Sequence, residues 1–151
     1  MRVRLLIDDL YTGEAGELFG TLAAHPNLEV RLFNPLSVRS GSLLSRLVFS
    51  MHELRRINHR MHNKLFIADN AFSVSGGRNM ADEYFMHSAT ANFIDLDVMS
   101  SGPVVRELSA EFDRYWNSPH VYPVGQIAAG LPPAEARRQF DETVAQAGAL
   151  I

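Results

Sequence analysis

The stretch Arg60-Met61-His62-Asn63-Lys64-Leu65-Phe66-Ile67-Ala68-Asp69-Asn70-Ala71-Phe72-Ser73-Val74-Ser75-Gly76-Gly77-Arg78-Asn79 decides how this chain is read. It predicts two short strands, His62 to Ala68 and Phe72 to Ser75. A tight turn at Asp69-Asn70 joins them, since these residue types accept turn geometry. Alternate side chains of a strand share a face, so His62 and Lys64 are expected on one side of the sheet. Buried strands rarely carry two ionisable groups on one face without a reason. The glycine pair that follows allows close backbone approach, and Asn79 adds amide donors. One imidazole, one ammonium and one amide beside flexible backbone suit a tetrahedral phosphate.

Working outward, Val3 to Ile7 reads as a strand ending in Asp8-Asp9, and Glu14 to Ala24 as an amphipathic helix. Pro26-Asn27 turns the chain into a second strand, Leu28 to Phe33, which Asn34-Pro35 stops. A β-α-β unit of this kind implies a parallel pair with a crossover helix. Ser42 caps a helix that carries Leu43, Leu44, Leu47, Val48, Met51, Leu54 and Ile57 at helical spacing. Its apolar stripe is the kind that packs into a core, while Phe49 falls off the stripe and is the best single residue for a lipid contact. On the far side, Phe93 to Met99 reads as another strand and Val104 to Trp116 as a helix after Gly102-Pro103. A last helix is expected from Pro133 to Ala147. The alternation gives an α/β sandwich.

At 151 residues, with 46% hydrophobic and 21% charged side chains, the chain has the composition of an ordinary globular domain. A net charge of -3 argues against a broad nucleic-acid surface, although Arg39 to Lys64 carries six basic residues against Glu53 alone. The absence of cysteine excludes disulfides and thiolate metal sites. His59 and His62 stand three apart without an obvious third ligand, so a metal pair is not expected there, and no cofactor is expected. The chain opens directly into strand-forming sequence, which suggests that a segment precedes it.

The spacing His62-x-Lys64-x4-Asp69-x6-Gly76-Gly77-x-Asn79 resembles the phospholipase D superfamily signature at every defined position. The flanking runs Asn58 to Lys64 and Gly76 to Phe85 are most similar to bacterial cardiolipin synthases of that superfamily. Asp95-Leu96-Asp97-Val98, Ser101-Gly102-Pro103 and Phe112 to Ser118 resemble the strand, turn and helix that follow the motif there. The resemblance covers roughly residues 2 to 124. It implies a phospholipase D-like α/β/α sandwich with a mixed, largely parallel sheet, residues 1–124 forming one catalytic half. Residues 125–151 are then expected to be a helix and linker to a second half.

The resemblance also implies roles. His62 would be the nucleophile that forms a phosphohistidine, and Lys64 and Asn79, beside Gly77, would hold the non-bridging oxygens. Asp95 would hold the imidazole N–H, with Asp97 as its rival, while Asp69, at a strand end, suits a structural hydrogen bond. His59 and Arg78 are expected near the headgroup. Enzymes of this family need two motifs, and no other histidine here has a lysine two residues later. The partner would therefore be a second motif in the same parent chain or in a homodimer. The implied activity is phosphatidyl transfer on phosphatidylglycerol or a similar lipid, at the cytoplasmic side of a bacterial inner membrane as a peripheral protein. The alternatives are a phospholipase D-type hydrolase or nuclease, or an isolated half that binds phosphodiesters without catalysis; the acidic balance disfavours the nuclease.

Overall fold

A computed structural model describes residues 1–9, 16–35, 44, 58–127 and 132–148. Apart from Leu44, the expected helix from Ser42 to Ile57, with Phe49, lies outside the described residues. The chain is α/β and divides into two compact units, Met1–Met61 with Ser118–Ile151, and His62–Asn117. Among the described residues no helix is long and apolar enough to cross a membrane.

The first unit is built on β1 (Val3–Asp8), α1 (Gly16–Leu22) and β2 (Leu28–Phe33). β1 and β2 run parallel, with Val3 opposite Leu28 and Asp8 opposite Phe33. This is the crossover that the sequence pattern requires. In β2 the period-two alternation buries Val30 and Leu32, while Glu29 and Arg31 point the other way and pair with each other at 2.7 Å. Val30, Leu32 and Val124 form the buried centre, packed by Leu5, Ile7, Phe19 and Leu22. Each such side chain contributes about 2 kcal/mol relative to exposure. The third strand comes from the far end of the chain. Three intervening strands, β3 (Leu65–Ala68), β4 (Phe72–Gly76) and β5 (Asp97–Ser101), belong to the second unit, and β6 (Val121–Pro123) pairs antiparallel to β2, Leu32 opposite Tyr122. The C-terminal segment, expected as a helix and linker, carries two helices of this first unit among the described residues. One lies at Val124–Ile127 and the other, at Pro133–Gly148, packs against α1, the His25 ring meeting Phe140 edge-on at 4.7 Å.

A polar network closes the C-terminal ends of β1 and β2. The Asp8 carboxylate accepts from the Arg60 guanidinium at both Nε and Nη2, and from the Met61 N–H at 2.8 Å. Arg60 also donates to the Asn34 carbonyl at 3.1 Å, and the Asn34 side chain donates to the His59 carbonyl at 2.7 Å. Asn34 is 1% exposed and left-handed at φ 50°, a conformation that asparagine tolerates better than most residues. Residues 59–61, immediately before His62, are thereby held at two backbone groups and through the Arg60 side chain.

The second unit is an antiparallel sheet of β3 (Leu65–Ala68), β4 (Phe72–Gly76) and β5 (Asp97–Ser101), with α2 (Pro103–Trp116) packed on it. The hairpin turn has Asp69 at φ 52° and Asn70 at φ 55°, and the Ala71 N–H bonds the Ala68 carbonyl at 2.9 Å. Positive φ at both central positions matches the right-handed twist of paired strands, which explains Asp-Asn there. Ser109 of α2 donates to Asn70 Oδ1 at 2.5 Å and so ties the turn to the helix. Gly102 precedes α2 at φ 84°, and Pro103 starts the helix where no N–H is needed. Val105 and Trp116 are its buried anchors.

Among the described residues parallel order is confined to β1 and β2, and the other three ladders are antiparallel. Two strands also begin later than expected. β3 starts at Leu65, so His62 and Lys64 lead into the sheet without ladder bonds. The register would set Lys64 opposite Gly76, where β4 ends. β5 starts at Asp97 because loop bonds occupy the preceding backbone. The Phe93 N–H donates to the Glu83 carbonyl at 2.8 Å, and the Asp95 carbonyl accepts from Arg78 at 3.1 Å.

Asp8→Ala leaves both the Arg60 guanidinium and the Met61 N–H without their carboxylate. It should destabilise the first unit by about 3 kcal/mol. Urea unfolding followed on that unit would read the loss, and Asp8→Asn, which keeps acceptor oxygen at Oδ1, should lose less.

Candidate active site

The motif residues occupy two ends of one hairpin. Lys64 leads into β3, and Gly76 and Gly77 end β4, the strand that pairs with β3. Lys64 Nζ donates to the His62 carbonyl at 3.0 Å, and the His62 side chain is exposed. Asp69 stands in the turn at the opposite end, separated from Lys64 by the four residues of β3, roughly 13 Å of strand. The structure therefore does not bring Asp69 to the glycine pair. His59 belongs to the first unit, where its carbonyl is held by Asn34.

At the glycine pair there is no room for a Cβ. Gly76 is opposite Asp97 in the β4–β5 ladder. A Cβ at position 76 would fall 2.6 Å from the Leu96 carbonyl oxygen and 2.9 Å from Asp97 Cα. A Cβ at position 77 would fall 2.6 Å from Asp95 Oδ2 and 2.7 Å from Oδ1. Two carboxylates thus approach the two glycine α-carbons, one each. Asp95 is half-buried, and its Oδ1 accepts from the Leu96 N–H at 2.7 Å, fixing the carboxylate against its own backbone.

Arg78 joins the two acids. Its Nε donates to Asp97 Oδ2 at 2.6 Å, one terminal nitrogen donates to the Asp95 carbonyl at 3.1 Å, and the other donates to the Tyr84 carbonyl. The guanidinium lies over the Phe85 ring, 5.6 Å from its centroid. Tyr84 itself packs on Phe93 at 5.1 Å, so the 3-10 turn Asp82–Tyr84 and the approach to β5 form one aromatic-backed clamp. Sequence reasoning missed this clamp. A signal was present in the Gly-Gly-Arg run followed by paired acids at Asp95 and Asp97, but local periodicity does not reveal which acid the arginine meets. Asn79 is half-buried next to Arg78. Among the described residues no three histidine, aspartate or glutamate side chains cluster as metal ligands.

Gly76→Ala places its methyl against backbone that cannot turn away, and should cost roughly 1–3 kcal/mol of stability. Gly77→Ala meets only a rotatable carboxylate and should cost clearly less. Thermal melts of the two variants side by side would check the order.

No protein-family model matches the chain. It is 43% identical over 127 residues to cardiolipin synthase C of Escherichia coli (strain K12), covering 84% of this chain and 26% of that protein. It is 39% identical to an uncharacterised protein of Helicobacter pylori (strain ATCC 700392 / 26695), over 84% of this chain and 25% of the relative. A shorter match, 33% identical over 72 residues, covers 46% of this chain and 15% of cardiolipin synthase A of Pseudomonas putida (strain GB-1). The chain spans about a quarter of the length of the first two of these relatives. With the His62-Lys64-Asp69 motif and its Gly-Gly-x-Asn extension intact, and this identity over most of its length, the chain belongs to the phospholipase D superfamily and resembles the bacterial cardiolipin synthases within it.

Proposed function

We propose that the chain supplies one half of a phosphatidyltransferase site that moves a phosphatidyl group through a phosphohistidine at His62. The observation that carries this reading is the meeting of the motif's Gly76-Gly77 with the carboxylates of Asp97 and Asp95 at the end of the hairpin that His62 and Lys64 enter.

An imidazole nitrogen of His62 attacks phosphorus, forming an N–P bond as the P–O bond to the leaving alcohol breaks. Lys64 and Asn79 donate to the non-bridging oxygens, where negative charge concentrates in the transition state. The Asp95 carboxylate accepts the other imidazole N–H and stabilises the cation formed on attack, as the acid of a triad does. Asp97 is already engaged by Arg78, which supports Asp95 over Asp97 for this part. The leaving oxygen takes its proton from the histidine of a second motif, supplied by the parent chain or by a second copy. An acceptor alcohol then attacks phosphorus, returns a proton to that histidine and breaks the N–P bond. Phosphatidylglycerol or a similar lipid is the proposed donor, met by peripheral contact at the cytoplasmic face of the inner membrane. Asp69 is assigned a structural part in the hairpin turn.

An aryl phosphodiester separates this half from its partner, because nitrophenolate departs as an anion and needs no general acid. Bis-p-nitrophenyl phosphate should give a burst of up to one nitrophenolate per chain and a phosphoryl adduct on the His62 peptide when quenched in base. His62→Ala should show neither. A burst retained in His62→Ala would refute the nucleophile assignment. Lys64→Ala should slow the burst about 10²–10³-fold, as loss of one oxyanion donor does.

A further inference from the structure

We infer that Arg78 is a positioning residue: it seats the Asp95 carboxylate against Gly77 by clamping the segment from Asp95 to Asp97. The inference rests on the reading above, in which Asp95 partners His62.

Three protein acceptors hold the Arg78 side chain. Its Nε engages the Asp97 carboxylate at 2.6 Å, and its two terminal nitrogens engage the carbonyls of Asp95 and Tyr84. Its flat face rests on Phe85. A guanidinium with its donors directed to three acceptors and one face covered is held as a strut. The strut acts on both sides of the residue that matters. Asp97 is gripped by its side chain and Asp95 by its main chain, with Leu96 between them. With those two points fixed, the Asp95 side chain has few places to go. It folds back onto the Leu96 N–H at 2.7 Å and lies on the bare α-carbon of Gly77. Position 77 accepts the carboxylate because it has no Cβ.

The same contacts give Asp97 a separate task. Both arginine and Asp97 are about 29% exposed at the side chain, so the pair is neither a free surface ion pair nor deeply buried. Its contribution is geometric: it selects which of two nearby acids stays available. Without Arg78, Asp97 would lose its guanidinium and the Asp95 main chain its anchor, leaving the Asp95 carboxylate held by the Leu96 N–H alone.

The test measures the burst from bis-p-nitrophenyl phosphate in the full 151-residue chain. Arg78→Ala should slow the burst about a hundredfold, the cost of misplacing a catalytic group by about an ångström. The half-saturating concentration should stay unchanged, because Arg78 does not hold the substrate. Asp95→Asn should be slow, and adding Arg78→Ala to it should slow it no further. Arg78→Lys should recover little of the rate, since one ammonium cannot replace three directed donors. If Arg78→Ala does not fold, Asp97→Asn, which loosens the same clamp while keeping its shape, should slow the burst with unchanged half-saturation. The Leu96 amide resonance gives a readout that needs no activity, and it should move toward its random-coil position in Arg78→Ala or Asp97→Asn.

A raised half-saturating concentration at unchanged rate would overturn the inference and make Arg78 a phosphate ligand. Multiplicative loss in the double variant, or an unmoved Leu96 amide, would overturn it too. A wild-type rate for Asp95→Asn would instead sink the assignment of Asp95, while the Leu96 amide would still decide whether Arg78 seats that carboxylate.

Discussion

The second unit depends on how closely an acidic side chain can approach a main chain. At the end of β4, two carboxylates press onto two consecutive α-carbons, and any side chain on either would occupy the same space. This one steric condition sets several others. The ladder between β4 and β5 must stop at the Gly76–Asp97 pair. Residues 93–96 must leave the sheet, and their backbone groups then need partners elsewhere, which Arg78 and the Glu83 carbonyl provide. The cost of bringing acids close to backbone is offset by a donor for each of them. Asp97 has the guanidinium and Asp95 has the Leu96 N–H.

The first unit meets a related problem by a different route. Its strands end in Asp8 and beside Asn34, both among the less exposed polar side chains, and Arg60 runs between them. Here one arginine also fixes one aspartate and a neighbouring carbonyl. Both units therefore use a guanidinium fork to tie a carboxylate and backbone at a strand end, where the regular ladder can no longer satisfy polar groups. The two forks flank the same short stretch of chain, one just before His62 and one just after Gly77.

Much of the fold was legible because its signals are local. The alternation of Val30 and Leu32 with Glu29 and Arg31 marks β2 without any tertiary information. The Asp69-Asn70 pair announces a turn because few other residues accept positive φ there. Gly102-Pro103 announces the start of α2 for equally local reasons. The spacing of His62, Lys64, Gly76, Gly77 and Asn79 was legible as a motif. Its geometry was less so, since the expectation that His62 and Lys64 share a sheet face assumed a ladder that begins only at Leu65. The contacts that organise the site join distant positions. Arg60 meets Asp8 across 52 positions and Arg78 meets Asp97 across 19. Arginine and aspartate at such separations read individually as solvated surface, and only register and chain reversal reveal which of them meet.

The connectivity of β2 and β6 has a consequence for how the molecule assembles. Phe33 pairs with Val121, so the first unit's sheet is completed only after the chain has passed through the whole of the second. The second unit is continuous, and its strands are neighbours in sequence joined by a tight hairpin and one longer loop, contacts of low sequence separation that form quickly. The first unit must close a loop containing everything from His62 to Asn117 before its third strand can dock. That closure is entropically cheaper when the intervening chain is already compact than when it is loose. The favoured order therefore starts in the middle of the chain: the motif-bearing hairpin gathers first, and the pairing of β2 with β6 follows.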